Sequence, residues 1–366
     1  MTALATTPAA RPRGPLKRLL RPLIDPKVFD FWAARVHPIW SWERPLARIV
    51  AREAASSDAQ TLRLKPNGNW AGFQVGQHIN VTTDVNGRRI TRSYSLCEPP
   101  RADGTVSITV KTVDGGLLSA QLCAARVGDV LEIGPAFGEM LLPEHLDAPL
   151  LFLAAGSGIT PLMAMVRALA ARGMPVALTL VYWARRREEF CFADELRALA
   201  AAHAGFDVRF VLTRAEAVAA DESEGRIAEE SLSTLLPDRV QRAVYACGPG
   251  GFVDSARALS SQSHSFQGEA FTPPPRVIED SGSVQVTLAR SGITLTVPRG
   301  QSLLTALEAE GLKPASGCRM GICNTCACGK RSGATRHLHN GDVVHEPASA
   351  LKLCIHGAAT DLVLEY

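Results

Sequence analysis

The sequence lacks a large excess of charge of either sign. Its 39 Lys and Arg residues nearly balance its 36 Asp and Glu residues, which leaves a formal net charge of +3 over 366 residues. Nucleic-acid binding requires a strongly basic surface, so this balance does not predict a nucleic-acid partner. Disorder is not expected for the body of the chain, because 46% of the residues are hydrophobic and 20% are charged. The length favours two or three globular domains.

The sequence also lacks an apolar signal-peptide core near its start and an even set of cysteines. Nine cysteines are present, and five of them fall in the last quarter of the chain, at Cys318, Cys323, Cys326, Cys328 and Cys354. A secreted disulfide framework is typical of small domains with an even cysteine count. We therefore expect a cytoplasmic protein in which C-terminal cysteines bind metal.

A transmembrane helix is not predicted, although one run of 19 residues, 148–166, carries no charge and has nearly the length of a bilayer span. Gly156, Ser157, Gly158 and Pro161 interrupt this run at its centre. A buried strand, a glycine turn and a new helix explain every residue of it.

Residues 1–45 differ in character from the rest of the chain, because they combine basic, leucine-rich and aromatic segments. Two interpretations are open. The segment is either a disordered start followed by an arm packed on the next domain, or a basic, aromatic surface that contacts anionic lipid or a membrane-embedded partner. The residues concerned are Arg11, Arg13, Lys17, Arg18, Leu19, Leu20, Arg21, Leu23, Ile24, Lys27, Phe29, Phe31, Trp32, Trp40 and Trp42.

The remaining chain is predicted to form three domains and one linker. Six short strands separated by turns predict an antiparallel β-barrel over 46–145. Strands that alternate with helices predict an α/β domain with a parallel sheet over 146–270. Three consecutive prolines mark 271–282 as a linker. A hairpin, a short helix and a cysteine loop predict an α+β domain over 283–366. The predicted strands of the first two domains are 46–51, 60–64, 78–83, 90–96, 105–112, 130–134, 150–154, 176–183, 208–213 and 243–247.

The C-terminal cysteines form the most specific pattern in the sequence. Cys318, Cys323 and Cys326 follow the spacing C-x₄-C-x₂-C, and Cys354 lies well downstream, as in plant-type [2Fe–2S] sites. Small residues between them let the loop fold around a cluster and direct backbone N–H groups toward its sulfides. Structural zinc and unligated thiols are the alternatives, but zinc sites usually pair C-x₂-C knuckles. We predict that these four cysteines hold a [2Fe–2S] cluster.

Two short motifs in the predicted barrel suit a flavin. Arg92 can pair with a pyrophosphate, Tyr94 can pack against an isoalloxazine ring, and Ser95 can hydrogen-bond the reacting edge of that ring. Gly116 and Ser119 lie in a turn that enters a helix, which makes a second candidate site for the same phosphates. Taken singly, each motif also fits an ordinary strand with a surface arginine or an ordinary turn.

Two further motifs mark the predicted α/β domain. The first, which contains Gly156, Gly158 and Thr160, follows a buried strand and opens a helix. A cofactor phosphate can approach the N-terminus of that helix. This first motif departs from the G-x-G-x-x-G fingerprint, because Pro161 stands at the third glycine position. The second ends the last strand, at the edge where open α/β sheets bind ligands, although its cysteine also fits an ordinary buried residue. The residues are Gly156, Gly158, Thr160, Cys247, Gly248 and Pro249.

Taken in order, these motifs resemble ferredoxin–NADP⁺ reductase-type flavoproteins with a fused C-terminal plant-type ferredoxin. The motifs are R-x-Y-S, G-x-x-S, G-S-G-I-T-P, C-G-P and C-x₄-C-x₂-C, and the resemblance covers nearly everything after residue 45. It implies a β-grasp fold for the last domain, FAD in the barrel, and nicotinamide over the glycine turn at 156–160 and over 247–249. FMN is the alternative flavin, because phthalate dioxygenase-type reductases with the same domain order use it.

The resemblance also implies catalytic roles. Tyr94, Ser95 and Cys247 are placed at the flavin and the nicotinamide. Glu269 and Phe271 are expected to close over the flavin, as the C-terminal residues of related reductases do. Hydride is expected to pass to the flavin, which releases electrons singly to the cluster.

The coenzyme is predicted from an arginine run. Arg185, Arg186 and Arg187 follow the second strand of the α/β domain, where the adenosine ribose is expected. Arginine at this position can bind a 2′-phosphate, so NADPH is predicted over NADH. The alternative is a solvated charge run paired with Glu188 and Glu189.

The N-terminal arm, the SYSL string and the ending GICNTC…LKLCIHGAATDLVLEY look most like reductases of membrane fatty-acid (acyl-CoA) desaturases. This likeness implies electron transfer to a separate membrane-bound desaturase or hydroxylase. Reductases of other oxygenases, such as phenylacetyl-CoA epoxidase or ring-hydroxylating enzymes, share the domain order. An iron–sulfur redox sensor is the alternative from another class. No diiron ligand set is evident among the few His residues, so oxygen chemistry is expected to belong to another protein.

Overall fold

The computed structural model describes residues 25–85, 87–236, 238–272, 280–321, 323–338 and 341–366. The chain divides into two compact units, Met1–Phe271 and Thr272–Tyr366. The basic residues from Arg11 to Arg21, which the second interpretation of the N-terminal segment assigns to a lipid- or partner-binding surface, lie outside the described residues.

The first unit contains the predicted antiparallel barrel. Its six strands form one sheet in the order β4-β3-β6-β1-β2-β5. An isolated antiparallel bridge between Leu96 and Ile108 joins the end of β4 to β5 and closes the sheet. Apolar residues on alternate positions point inward, as with the fully buried Leu62 and Leu64 on β2. The strands are β1 (Leu46–Ser56), β2 (Ala59–Pro66), β3 (His78–Val85), β4 (Arg88–Ser95), β5 (Val106–Lys111) and β6 (Val130–Ile133).

A parallel sheet follows in the same unit, as predicted. Its strand order is β10-β9-β8-β7-β11-β12, and the pairs from β10 through to β11 are parallel. Leu150 and Phe152 lie in the core on one face of β7, whereas Leu151 and Leu153 lie in the core on the other face. Burial on both faces explains the unbroken apolar run of this strand. The strands are β7 (Leu150–Ala155), β8 (Leu178–Ala184), β9 (Phe206–Leu212), β10 (Glu222–Glu224), β11 (Ala243–Pro249) and β12 (Ser265–Thr272).

Among the described residues, five helices follow the first strand of the barrel and accompany these two sheets. Leu118 and Leu122 of α2 are buried in the barrel core, four residues apart on one helical face. The helices of the α/β part lie between its strands in sequence. The helices are α2 (Leu117–Ala124), α3 (Ile159–Ala171), α4 (Ala193–Ala202), α5 (Glu229–Leu235) and α6 (Gly250–Leu259).

The uncharged run 148–166 folds as predicted into β7, a short 3₁₀ turn over Gly156–Gly158, and the start of α3. Among the described helices, none combines the length and the apolar character needed to cross a bilayer.

The last strand of this unit corrects one predicted boundary. β12 extends to Thr272, two residues into the segment predicted as a linker, 271–282. Phe271 therefore belongs to the sheet, where it is partly buried and packs against the core of the α/β part. Residues 273–279, which include the three prolines, lie outside the described residues.

Polar contacts fix the barrel against the α/β part within the first unit. Arg167 of α3 donates from Nη1 to the carbonyl oxygen of Cys97 at 2.7 Å, and it binds Glu195 bidentately at 2.7 and 2.6 Å. Lys111 of β5 donates to Glu189 at 2.9 Å. The end of β4 is thereby held close to the parallel sheet.

Residues 25–45 form a helix and a packed arm. Helix α1 (Pro26–Val36) was not predicted; it begins with Asp25, whose carboxylate accepts the backbone N–H of Lys27 at 2.7 Å, and with Pro26 in the first turn. The arm that follows packs on the barrel, because Asn67 donates from Nδ2 to the Ile39 carbonyl at 3.1 Å. The arm is thus packed on the barrel, as the first interpretation expects, whereas large apolar side chains on the outward side of α1 are exposed.

The second unit has the predicted α+β, β-grasp arrangement. A five-stranded mixed sheet in the order β14-β13-β20-β15-β18 and a three-stranded sheet in the order β17-β16-β19 surround one helix. Leu303, Leu304 and Leu307 of that helix are buried in the core of the unit. The elements are β13 (Ser283–Leu288), β14 (Thr294–Pro298), α7 (Leu303–Ala309), β15 (Ala327–Ser332), β16 (Thr335–His337), β17 (Val343–Val344), β18 (Ala348–Lys352), β19 (His356–Ala358) and β20 (Leu362–Leu364).

Candidate functional site

Three side chains from separate strands form a buried hydrogen-bonded row in the first unit. Ser95 Oγ at the end of β4 lies 3.2 Å from His78 Nδ1 at the start of β3. His78 Nε2 lies 2.7 Å from Glu269 Oε1 on β12. The antiparallel register pairs His78 directly with Ser95, so the sheet itself brings these two together. The exposed fractions are 2% for His78, 4% for Ser95 and 9% for Glu269, so the row is shielded from solvent.

Gly138 and Phe137 pack closely around the imidazole ring of His78. A Cβ on Gly138 would lie 2.8 Å from His78 Nε2, and the φ of Gly138 is +125°, which also favours glycine. The Phe137 ring contacts the imidazole edge-on, with ring centroids 5.2 Å apart. The orientation of the imidazole between Ser95 and Glu269 is therefore built into the fold.

His78 was missed by the sequence analysis. In the sequence, His78 is a polar residue at the start of a strand whose inward-facing residues are apolar. An ordinary strand end looks the same, so this pattern does not identify a site residue. Its partners become visible only once β3 is paired with β4 and β12 is placed beside them.

Glu269 has a second carboxylate oxygen, Oε2, that is buried and has no hydrogen-bond partner within the described ranges. Buried polar atoms are nearly always paired in folded proteins, so this oxygen suits a donor supplied by a ligand.

Cys247 at the end of β11 is fully buried nearby. Burial first, and the Glu269 carboxylate second, raise the pKa of the Cys247 thiol well above its ordinary value. Cys247 therefore stays a neutral thiol at physiological pH.

The predicted nicotinamide motifs meet at the edge of the parallel sheet. A Cβ on Gly158 would lie 2.0 Å from the Cys247 carbonyl oxygen, so glycine is required for this close approach. Gly156 has φ +54° and faces open space, because an added Cβ would meet nothing within 4 Å. Thr160 donates its hydroxyl to the Ser157 carbonyl at 2.9 Å, which closes the turn. The structure thus joins 156–160 and 247–249 into one surface with an open glycine face.

The arginine and tyrosine predicted for the flavin lie on β4. Arg92 is exposed, and its guanidinium donates from Nη1 to the Thr91 carbonyl at 2.8 Å. No carboxylate in the described part of the chain pairs with it. Tyr94 is half-buried, and burial raises the pKa of its phenol. An unpaired guanidinium beside a half-buried aromatic ring fits the phosphates and the ring system of a flavin nucleotide.

The predicted second anion site is a tight turn before α2. Ser119 Oγ accepts the Val113 N–H at 3.3 Å and donates to the Gly116 carbonyl at 3.2 Å. A Cβ on Gly116 would lie 2.6 Å from Ser119 Oγ, so the turn needs glycine there. The serine hydroxyl is engaged in shaping the turn. Helix α2 packs against β3, β4 and β5, which places this turn beside the strand that carries Arg92.

The predicted coenzyme arginines differ from one another in the structure. Arg187 binds Glu222 bidentately, from Nε at 2.7 Å and from Nη2 at 2.6 Å, and this contact lowers the pKa of Glu222 to about 2. Arg186 lies 4.0 Å from Glu188. Arg185 is exposed and has no side-chain partner among the described residues. Arg187 is therefore paired with Glu222 and not with Glu188 or Glu189, the partners named in the alternative interpretation, whereas Arg185 remains available to an anion.

The four predicted cluster ligands converge in the second unit. Cys318 and Cys323 exchange hydrogen bonds: the Cys318 N–H donates to Cys323 Sγ at 3.2 Å, and the Cys323 N–H donates to Cys318 Sγ at 3.4 Å. The Met320 N–H also donates to Cys318 Sγ, at 3.3 Å, and the Thr325 hydroxyl donates to Cys323 Sγ at 3.1 Å. Donors of this kind stabilise negative charge on sulfur.

The thiols are arranged as two pairs. Cys318 contacts Cys323, and Cys326 contacts Cys354, through side-chain hydrogen bonds. These contacts lower the pKa of Cys323 to about 4 and that of Cys326 to about 6. In the described ranges, no three His, Cys, Asp or Glu side chains surround one ion position. Two thiol pairs fit a cluster of two irons with two protein thiolates each better than a single zinc ion with four.

The loop around the cysteines is held by backbone geometry. Gly321 has φ +79°, and a Cβ there would lie 2.4 Å from Ile355 Cδ1. Arg319, in the left-handed region at φ +59°, binds Glu308 of α7 at 2.9 and 2.5 Å. The loop is thereby anchored to the helix of its own unit.

Comparison with known proteins agrees with this division of the chain. Family models match residues 46–141 as an oxidoreductase FAD-binding domain, 152–258 as an oxidoreductase NAD-binding domain and 286–354 as a 2Fe-2S iron-sulfur cluster binding domain. The first of these agrees with the prediction of FAD.

Known proteins match this chain over most of their own length. An NADPH oxidoreductase of Mycobacterium tuberculosis is 32% identical over 358 residues, which cover 96% of this chain and 92% of that protein. A stachydrine N-demethylase reductase subunit of Rhizobium meliloti is 27% identical, with coverage of 84% and 91%. The solved structure of phthalate dioxygenase reductase, described as modular for electron transfer from pyridine nucleotides to [2Fe-2S], has a TM-score of 0.59 and 25% identity, and covers 88% of this chain and 97% of that one. The chain therefore belongs to the ferredoxin reductase-type flavoproteins that join FAD- and NAD(P)-binding domains to a C-terminal [2Fe–2S] ferredoxin domain, and it is an NAD(P)H-dependent oxidoreductase.

Proposed function

We propose that this protein carries electrons in the cytoplasm from NADPH, through FAD and a [2Fe–2S] cluster, to a separate membrane-bound fatty-acid desaturase or hydroxylase. The observation that carries the proposal is the presence, in one chain, of the buried row Ser95–His78–Glu269 and the paired cysteines of the C-terminal loop. A hydride site and a one-electron exit are the two parts that such a relay needs. Oxygenase systems are supported as the acceptor class by relatives that are reductase subunits of demethylase and monooxygenase systems.

The proposed cofactors supply the redox chemistry. When bound, FAD takes two electrons as hydride and passes them on singly, and a [2Fe–2S] cluster accepts one electron at a time. Arg92 and the turn at Gly116 would hold the flavin phosphates, Tyr94 would pack on its ring, and Ser95 would contact its reacting edge. Cys318, Cys323, Cys326 and Cys354 would hold the cluster. These assignments follow the residue types and their placement.

The row of Ser95, His78 and Glu269 can take up one proton and hold it on Glu269. With Glu269 as a carboxylate, His78 Nε2–H donates to Glu269 Oε1, and His78 Nδ1 accepts the Ser95 hydroxyl proton. With one additional proton on the row, a protonated Glu269 would donate to Nε2, Nδ1–H would donate to Ser95 Oγ, and the Ser95 hydroxyl would be free to donate to a bound ligand. Ser95, His78 and Glu269 are thus proposed to deliver or remove a proton next to the site of hydride transfer.

Cys247 and the glycine turn are proposed to seat the nicotinamide. The neutral, fully buried thiol of Cys247 offers a compact apolar surface without a charge that would repel or bind a hydride donor. Glu269 Oε2, which lacks a partner in the described part of the chain, offers an acceptor for an amide N–H of the coenzyme. Water is excluded on this side because Cys247 and Glu269 are both buried.

The desaturase assignment is tested by reconstitution. Purified protein is combined with NADPH, an acyl-CoA and membranes that contain a candidate desaturase, and the unsaturated product is measured. We expect product only when all components are present, together with continuous reduction of cytochrome c in the absence of membranes. Cytochrome c reduction without support for any desaturase, but with support for a soluble oxygenase, would favour the other oxygenase systems. Reduction that stops after one turnover would favour a redox sensor.

Coenzyme choice is predicted to depend on Arg185. Replacing Arg185 with Ala should lower kcat/KM for NADPH about 10- to 100-fold, the effect of losing a hydrogen bond to a charged phosphate, while kcat/KM for NADH changes little. Steady-state cytochrome c reduction with each coenzyme measures this. Arg209, an exposed arginine on β9 that pairs with Asp207, provides the matched control as Arg209→Ala. Equal kcat/KM for NADPH and NADH in the unchanged protein would contradict the prediction.

A further inference from the structure

Helix α1 exposes large apolar side chains along one side. Val28, Phe31, Trp32 and Val36 follow the spacing that places residues on one helical face, and they are 57%, 53%, 62% and 73% exposed. Trp40, shortly after the helix, is 53% exposed. These five residues are called the α1 face. Contiguous exposed apolar side chains on a folded protein mark an interaction site.

The opposite side of the helix is fixed to the protein. The Asp30 carboxylate accepts the Trp42 N–H at 2.6 Å, the Ser41 hydroxyl at 3.0 Å and Arg44 Nε at 3.0 Å. The rings of Phe29 and Trp42 meet edge to face, with centroids 5.1 Å apart. These contacts fix the orientation of helix α1, so the α1 face points away from the protein.

Positive charge accompanies the α1 face. Arg35 lies within it, with its guanidinium carbon 3.5 Å from the Phe31 ring centroid, and Lys27 is exposed at the start of the helix. In the sequence, residues 1–24 contain no Asp or Glu, and their basic residues are Arg11, Arg13, Lys17, Arg18 and Arg21. Aromatic rings beside Lys and Arg suit the interface of a bilayer, where rings lie at headgroup depth and cations meet anionic headgroups.

We propose that the α1 face binds the surface of an anionic lipid bilayer, with α1 lying in the plane of the membrane. Phe31 and Trp32 enter the headgroup region, and Arg35 reaches the lipid phosphates beside them. This inference concerns where the protein resides, so it stands whether or not the acceptor is a desaturase.

Vesicle co-sedimentation of the full chain tests the proposal. Vesicles of phosphatidylcholine mixed equally with phosphatidylglycerol are compared with vesicles of phosphatidylcholine alone. We expect binding to the mixed vesicles that is about tenfold stronger and that weakens in high salt. The double variant Phe31→Glu/Trp32→Glu should lose about tenfold or more of this binding. Val218→Glu is the matched control, because Val218 is 79% exposed and lies outside the α1 face; it should bind as the unchanged protein does.

A second variant separates charge from apolar contact. Replacing Lys27 and Arg35 with Gln should reduce the preference for phosphatidylglycerol. Flavin and cluster absorbance and cytochrome c reduction in solution should stay unchanged in all variants, which shows that they fold and keeps this test independent of the proposed function.

Several results would overturn the inference. One is equal binding to both vesicle types, and another is full binding by the Phe31→Glu/Trp32→Glu variant. A dimer in size-exclusion chromatography that this variant converts to a monomer would assign the face to a second copy. Faster hydrogen exchange in α1 after removal of residues 2–24, without vesicles, would assign it to the chain's own N-terminal segment.

Discussion

Replacing Cys323 with Ser is expected to reduce NADPH-driven cytochrome c reduction more than about 100-fold, because a plant-type cluster needs four cysteine ligands and cytochrome c, a protein acceptor, is expected to receive its electrons from the cluster. Reduction of ferricyanide, a small acceptor that takes electrons from a flavin directly, should remain close to normal. The two activities are measured side by side with NADPH in excess, and visible absorbance and electron paramagnetic resonance report cluster content.

The neighbouring thiol provides the control for this change. Cys328 lies two residues beyond Cys326, but its Sγ contacts the Gly329 carbonyl at 3.5 Å and it belongs to neither thiol pair. Cys328→Ser should keep both the cluster signal and cytochrome c reduction. If Cys323→Ser keeps both as well, the four-cysteine assignment is wrong; if it loses both acceptors equally, the flavin site has been damaged and the relay order is not supported.

Replacing Glu269 with Gln is expected to slow hydride transfer from NADPH to the flavin by about 100-fold or more, within the range of positioned acid–base groups. Gln keeps the size of the side chain, and its carbonyl oxygen can still accept His78 Nε2–H, but the amide cannot take up and hold a proton as a carboxylate can. His78→Gln should act in the same direction, because it interrupts the contact between Ser95 and Glu269. Flavin bleaching in a stopped-flow instrument measures both.

A surface carboxylate of the same unit is the matched control. Glu132 on β6 pairs with Arg44 and Arg89 and is not part of the buried row; Glu132→Gln should leave the hydride rate unchanged. A rate in Glu269→Gln equal to that of the unchanged protein would rule out the proposed role of the row. A changed pH profile in the Glu269 and His78 variants would distinguish proton handling from a packing defect.

Much of the fold was predictable because its signals are local. In β2, buried residues alternate with more exposed ones because one face of the strand is buried. In β7, the apolar run is unbroken because both faces are buried. Both patterns can be read within a few residues of sequence. The cysteine spacing was equally informative, since C-x₄-C-x₂-C is itself a local constraint. The boundary at Thr272 was harder, because the prolines that signal a linker begin only after the strand has ended.

The buried row could not be predicted in the same way. His78 and Glu269 are separated by 191 positions, and their 2.7 Å contact depends on β12 lying beside the barrel. The pairing of Arg187 with Glu222, 35 positions away, is also tertiary, so the arginine run looked uniform in the sequence although its members have different partners. Helix α1 escaped notice because its outward side is apolar, the reverse of the usual pattern for a surface helix.

The position of β12 limits how this two-unit polypeptide could have arisen by gene fusion. The strand that supplies Glu269 ends at Thr272, immediately before the prolines. A junction formed by trimming the reductase end back by even a few codons would delete part of the strand that positions this carboxylate. Recombination between reductase and ferredoxin genes is therefore tolerated only downstream of Thr272, so we expect length variation among fused and unfused forms to concentrate between this strand and Ser283.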